Sequence, residues 1–283
     1  MGNKVIELKN VSFRYAGNKE NAIKNISLDI REGEYIVLAG PSGCGKTTLA
    51  RIMVGLIPHF YSGDLKGEVL INGVDVRKTT IREITKIIGY VFQNPEDQIL
   101  MTEVLRDISF RLEYQGLPRE YIINVVHEVA KKLRIQHLLY RNVNTLSGGE
   151  LQKVAIAGVL VSRPKVIILD EPTAYLSPKS TIELMSFLDE LKENFGVTIV
   201  IIDHRLDLVV KRNSRIIVMY DGRIVLDNYA DKVLEQPLDK LYGLNIPTLT
   251  RLAQYLSKNY GINISTYLPE VSKFIDTLAK VLS

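Results

Sequence analysis

The 283-residue sequence predicts an α/β fold: a mostly parallel sheet covered by helices, preceded by a small antiparallel sheet, interrupted by a helical insertion and followed by a helical extension. Three observations predict it. Apolar runs without alternation recur along the chain as "YIVLAG", "IIGYVF", "KVIILD", "VTIVIID" and "RIIVMY", and such runs mark strands buried on both faces. Stretches with helical apolar spacing lie between several of them. The first run enters a glycine-rich turn and then the helix-compatible "KTTLARIMVGLI", the strand, loop and helix of a crossover unit.

Taken in order, "VIELKNVSFRY" and "AIKNISLDI" within residues 5–30 alternate apolar and polar residues, as half-buried antiparallel strands do. Between residues 98 and 163 the strand pattern stops. There "EVLRDISFRLEYQ", "REYIINVVHEVAKKL" and "ELQKVAIAGVLVS" carry helical spacing and predict an inserted helical subdomain. Asp221-Gly222 in "MYDGRIVLDN" is a hairpin signal. Residues 1–236 thus read as one domain and 237–283 as an extension, with amphipathic helices expected around 249–258 and 271–282.

Composition removes several classes of function. With 36 basic and 32 acidic residues the net charge is +4, and no Lys/Arg run or aromatic-interleaved basic stretch is present, so nucleic acid is not an expected partner. The single cysteine, Cys44, cannot form an intramolecular disulfide or a multi-cysteine metal site, and it fits a reducing, cytoplasmic setting. No apolar run approaches the ~20 residues of a membrane span. Work at a membrane would have to pass through a partner.

The stretch "GPSGCGKTT", residues 40–48, fits the phosphate-loop pattern G-x-x-x-x-G-K-[ST]. Gly40, Pro41, Ser42, Gly43, Cys44 and Gly45 form a turn whose N–H groups can face the phosphates of ATP, while Lys46 adds a full positive charge. Thr47, followed by Thr48, offers a hydroxyl to Mg²⁺. Downstream, "VIILDEP" places Asp170 and Glu171 at a strand end, where open α/β sheets put their ligand crevice. Asp170 would reach Mg²⁺ through a water, and Glu171 would polarise the water that attacks the γ-phosphate.

Between these motifs stands "LSGGELQK", and with it the sequence resembles the ATP-binding cassette (ABC) superfamily. The resemblance implies the P-loop ABC ATPase fold, ATP and Mg²⁺ as ligands, and a dimer in which Ser147, Gly148, Gly149 and Glu150 close over ATP bound to the other subunit. It implies that Gln93, after "IIGYVF", contacts Mg²⁺ and the attacking water. It further implies that His204 in "IIDHRLD" contacts the γ-phosphate and that Tyr15 in "FRYAG" stacks on adenine.

The wording "QNPEDQIL" is similar to the energising ATPases of energy-coupling factor (ECF) importers, which also carry a C-terminal helical extension that helps them dimerise. That likeness implies a peripheral subunit on the cytoplasmic face of the cell membrane. Its partners would be a second ATPase chain, identical or not, an integral membrane coupling protein and a substrate-binding membrane subunit. Glu96 and Asp97 are expected at the groove that receives the coupling protein. Another importer subgroup, or a soluble ABC ATPase of DNA repair or translation, is the alternative; the latter brings a long coiled-coil insertion or two tandem cassettes.

Three positions depart from the family pattern: Glu150 stands where Gln is common, Lys153 where Arg is common, and Ser177 where an aspartate is usual. The last raises the expectation of one slow ATP site, or of a non-identical partner that supplies the missing group.

Overall fold

The computed structural model describes residues 2–210, 214–262 and 271–282. Strands β1 (Lys4–Tyr15) and β2 (Ile23–Arg31) form the antiparallel pair that alternation predicts, with register shifts between Lys4 and Ile6, Leu8 and Val11, and Val11 and Phe13. Strand β3 (Tyr35–Ala39), buried at every position, runs through the glycine turn into α1 (Lys46–Met53). After the short α2 (Leu56–His59), β4 (Gly63–Ile71) and β5 (Val74–Asp75) widen the antiparallel sheet. Thr80 caps α3 (Ile81–Ile87) by accepting from the Glu83 N–H, and β6 (Ile88–Val91) follows without a loop.

The insertion contains α4 (Val104–Tyr114), α5 (Arg119–Lys132) and α6 (Gly148–Leu160). The chain then returns to the sheet as β7 (Val166–Asp170), crosses over as α7 (Pro178–Phe195), and continues as β8 (Thr198–Ile202), α8 (Leu206–Val209) and β9 (Arg215–Tyr220). Helix α7 is bounded by an accepting Ser177 cap, Pro178 at its first position and Gly196 at φ 62° beyond its end. Asp221-Gly222 turns β9 into its antiparallel neighbour β10 (Arg223–Tyr229).

The larger sheet has the order β10-β9-β3-β8-β7-β6, parallel throughout except for the β10 edge. The uninterrupted apolar runs are explained by two cores divided at every second residue. Val37, Ile167, Leu169, Ile199 and Ile201 face the helical insertion and α7. Ile36, Leu38, Ile168, Val200 and Ile202 face α1 and the antiparallel sheet. Each such side chain, when fully buried, is worth ~1.5–3 kcal/mol relative to exposure.

The C-terminal part begins with α9 (Ala230–Leu234) and α10 (Leu238–Tyr242), then α11 (Thr248–Tyr260) and α12 (Val271–Leu282). Leu238, Leu244 and Ile246 are buried in the main core. The segment expected to begin the extension, from residue 237, thus contributes side chains to the main core. Beyond it, Ala253 and Phe274 bring α11 and α12 together in a small separate cluster.

Candidate active site

Parallel pairing places four strand ends on one edge of the sheet. Leu38 pairs with Ile202, Asp170 pairs with Ile202, and Val91 pairs with Leu169, so the loops after β3, β8, β7 and β6 emerge at nearly one level. That edge is where open α/β sheets bind ligands. The loops carry the phosphate loop, His204, Glu171 and Gln93 respectively.

In the phosphate loop, Gly45 has φ 106°, and a Cβ there would lie 2.7 Å from the Ala22 carbonyl oxygen, so only glycine lets α1 start this close to the antiparallel sheet. Gly43, at φ 79°, faces open space instead, where a phosphate could approach the backbone. Lys46 is buried, and its Nζ donates to the Gly40 and Pro41 carbonyls at 2.8 and 2.9 Å. Burial pushes the Cys44 thiol above its ordinary range, outweighing the nearby Lys46 charge, so Cys44 is an uncharged filler of the loop. Thr47 is exposed on the ligand side, whereas Thr48 is buried and its hydroxyl pairs with that of Tyr15 at 3.1 Å. Arg51 also donates to the Tyr15 hydroxyl, at 3.1 Å, and lies over the Tyr61 ring. The aromatic read as an adenine platform is thus anchored through its hydroxyl, a role for Thr48 and Arg51 that the motif alone does not announce.

Gln93, Glu171 and His204 come together. The Gln93 side-chain amide donates to Glu171 Oε2 at 3.0 Å, and His204 Nδ1 lies 3.9 Å from Glu171 Oε1. Glu171 adopts φ 44°, a left-handed conformation uncommon for a residue with a side chain, which turns it away from the strand line of Asp170. The His204 loop is fastened from below: buried Asp203 accepts from the Thr173 hydroxyl and from the Arg205 N–H, and the Arg205 guanidinium donates to the Thr173 carbonyl. These three residues were not singled out in the sequence. They meet only because β7 and β8 are neighbours.

Asp170 is 5% exposed and accepts from the Tyr90 hydroxyl at 2.6 Å. Burial, with the Asp170 charge, pushes the Tyr90 phenol well above its ordinary range and keeps it a donor. The Thr47 hydroxyl, the Asp170 carboxylate and the Gln93 amide oxygen would offer Mg²⁺ the all-oxygen donors it requires. When bound, the ion would neutralise phosphate charge and orient the terminal phosphate.

The "LSGGE" segment opens α6. Ser147 caps the helix, and the Glu150 carboxylate closes a capping box by accepting from the Ser147 N–H and hydroxyl, both at 2.8 Å. Those hydrogen bonds hold the Glu150 carboxyl below its ordinary range, helped by Arg141 at 3.2 Å. Gly148 and Gly149 adjoin the Tyr175–Ser180 segment. Among the described residues no hydrogen bond or ion pair joins the "LSGGE" residues to the phosphate loop.

Ser177 has a plain local role: its hydroxyl accepts from the Ser180 N–H at 3.2 Å and caps α7. An aspartate would cap equally well, so the departure leaves the fold intact. Glu96 lies beside Gln93, at the joint of the core and the helical insertion, as expected. The Asn94-capped turn Pro95–Asp97 places Glu96 in a cavity of about 290 Å³ with Gly148, Gln152 and Leu176, and Asp97 accepts from the Asn94 side chain. A little further along, Gln98 and Leu100 line a different cavity, of about 440 Å³, together with Phe60, Ile81 and Tyr114.

The sheet edge and its loops define a P-loop ATPase. The chain belongs to the ABC transporter family, whose profile matches residues 23–174. A chain of Pyrococcus horikoshii named as an ABC transporter ATP-binding protein is 36% identical over 255 residues, 90% of each chain. One of Treponema denticola with the same description is 41% identical over 79% of this chain, which spans 45% of its length. Among solved structures, CbiO1 from Clostridium perfringens, part of the ABC transporter complex CbiONQ, superposes with a TM-score of 0.76 at 30% identity, covering 92% of this chain and 96% of that one. The ATP-binding cassette MJ0796, a dimer in a post-hydrolysis state with ADP and Pi, gives a TM-score of 0.67 at 31% identity over 79% of this chain and 98% of that one. The chain is an ABC transporter ATPase subunit, and no described helix is long and apolar enough to cross a membrane.

Proposed function

We propose that the chain is the energy-coupling ATPase of an ECF-type importer, hydrolysing ATP at the cytoplasmic face of the membrane to drive uptake of a vitamin or transition-metal ion. The observation that carries the reading is the extent of the likeness to CbiO1: 92% of this chain is a larger share than residues 1–236 make up, so it reaches into the C-terminal helices. The soluble alternative is not favoured, because the longest helix of the insertion has 14 residues, far short of a coiled-coil arm.

Two chains face each other, each phosphate loop meeting the other chain's Ser147–Glu150 segment, and a two-fold arrangement makes two such sites. In each, Lys46 and the loop N–H groups hold the phosphates, Tyr15 holds the base, Glu171 polarises the attacking water, and Gln93 and His204 align it. Loss of the γ-phosphate removes what bridges the chains, and they part. Gln93 passes that change toward the helical insertion. Between the insertion and the core lies a groove of about 440 Å³ lined by Phe60, Ile81, Leu100, Phe110, Arg111 and Tyr114. Phe60, Leu100 and Tyr114 are 65–71% exposed there. A helix of an integral membrane coupling protein would cover it.

Affinity capture of the tagged chain from detergent-solubilised membranes tests this. Recovery with an integral membrane protein, lost when Leu100 and Tyr114 are both changed to Asp, is the expected result. A wholly free pool in the soluble fraction would contradict it.

A further inference from the structure

Tyr90 belongs to none of the motifs, yet it supplies the only side-chain hydrogen bond to Asp170 among the described residues. The register explains the contact. Tyr90 pairs with Ile168, and Asp170 lies two residues further along β7, on the same face, so the phenol crosses diagonally to the next rung. Its ring is fixed from the side by Phe92, with centroids 5.1 Å apart at an interplanar angle of 80°. A core that needed only volume at this position would be met by phenylalanine. The hydroxyl adds one thing, a donor to a carboxylate that is 5% exposed.

We propose that Tyr90 is a positioning residue for the metal of the bound nucleotide, holding Oδ2 of Asp170 so that the other carboxylate oxygen is left to serve the ion. The inference rests on Asp170 as a residue of the Mg²⁺ site. A carboxylate with no anchor is free to rotate about its side-chain torsions; one held through a single oxygen by a rigid phenol is not. Outer groups that orient a metal's ligands typically contribute about 10- to 100-fold to metal affinity.

The test is Mn²⁺ binding, standing in for Mg²⁺, followed through the free-ion signal by electron paramagnetic resonance, with the full chain and a non-hydrolysable ATP analogue. Tyr90→Phe, Asp170→Asn and the double variant are compared with the parent chain, and analogue binding in EDTA and melting temperature are recorded for each. Tyr90→Phe is expected to weaken Mn²⁺ binding by about tenfold or more while metal-free analogue affinity stays within about twofold of the parent. In the Asp170→Asn background, Tyr90→Phe is expected to add little further loss, because its effect passes through the carboxylate. If Asp170→Asn weakens Mn²⁺ binding and Tyr90→Phe does not, or if the two losses add in full, the positioning role is overturned. If Asp170→Asn itself leaves Mn²⁺ binding unchanged, the metal-site reading falls and the role of Tyr90 with it.

Discussion

The Gln93 side-chain amide donates to Glu171 Oε2 across 3.0 Å, joining the loop that leads into the helical insertion to the acid at the end of β7. A single hydrogen bond thus links Glu171 with the segment that leads to the helical insertion. On the proposed function, catalysis and coupling would share this contact.

Glu171→Gln replaces the acceptor that would polarise the attacking water. Steady-state hydrolysis should fall by about 10²- to 10⁴-fold, the usual contribution of a positioned acid or base. ATP binding should persist, and size-exclusion chromatography with ATP should show an accumulated dimer. Near-parental turnover would remove Glu171 from the catalytic role.

Arg141 offsets the Glu150 charge at the start of α6. Arg141→Ala leaves that carboxylate to face an incoming phosphate, and ATP-dependent dimerisation should weaken by about two- to fivefold, the scale of an exposed ion pair. Combining it with Glu150→Gln should restore assembly in sedimentation measurements. Because the folded Glu150 carboxyl lies below its ordinary range, its stabilisation of α6 is complete above the unfolded value and is lost as pH falls through the folded one. Glu150→Gln should therefore flatten the acid limb of the melting-temperature profile.

Ser177 caps α7, so Ser177→Ala should cost about 0.5–2 kcal/mol in denaturant unfolding, whereas Ser177→Asp should cost almost nothing. If the usual aspartate also aligns the catalytic groups across the dimer, Ser177→Asp should raise homodimer turnover. Unchanged turnover would make the serine neutral and remove the argument for an asymmetric pair of sites.

A chain ending after Pro247 keeps Leu238, Leu244 and Ile246 in the core and loses α11 and α12. It should fold and bind ATP but dimerise more weakly without nucleotide, as measured by analytical ultracentrifugation. A cut at 236 should destabilise the core as well, because it removes these three buried side chains.

The parts of this architecture legible in the sequence are those whose signal is local. Continuous apolar runs announce β3, β7 and β8 because both faces of the sheet are covered. The phosphate loop and "LSGGE" are contiguous, so their chemistry can be read directly. Strand β4 is not legible, since most of its positions are exposed or half-exposed and two are glycine. Tyr90 and Asp170 are 80 positions apart, and Thr173 and Asp203 are 30 apart. Only the register of neighbouring parallel strands brings these pairs together.

The central claim is that one chain's phosphate loop works with the other chain's "LSGGE" segment, and mixing two inactive variants tests it most directly. Lys46→Ala removes the phosphate ligand, and Gly148→Asp places a carboxylate and its charge at the opening of α6. In a mixed dimer, one site combines the intact loop of one chain with the intact segment of the other, while the second site carries both defects. With random pairing in a two-fold dimer, half the dimers are mixed, so ATP turnover should recover to about a quarter of the parental rate. Turnover no higher than that of either variant alone would contradict the two-chain site.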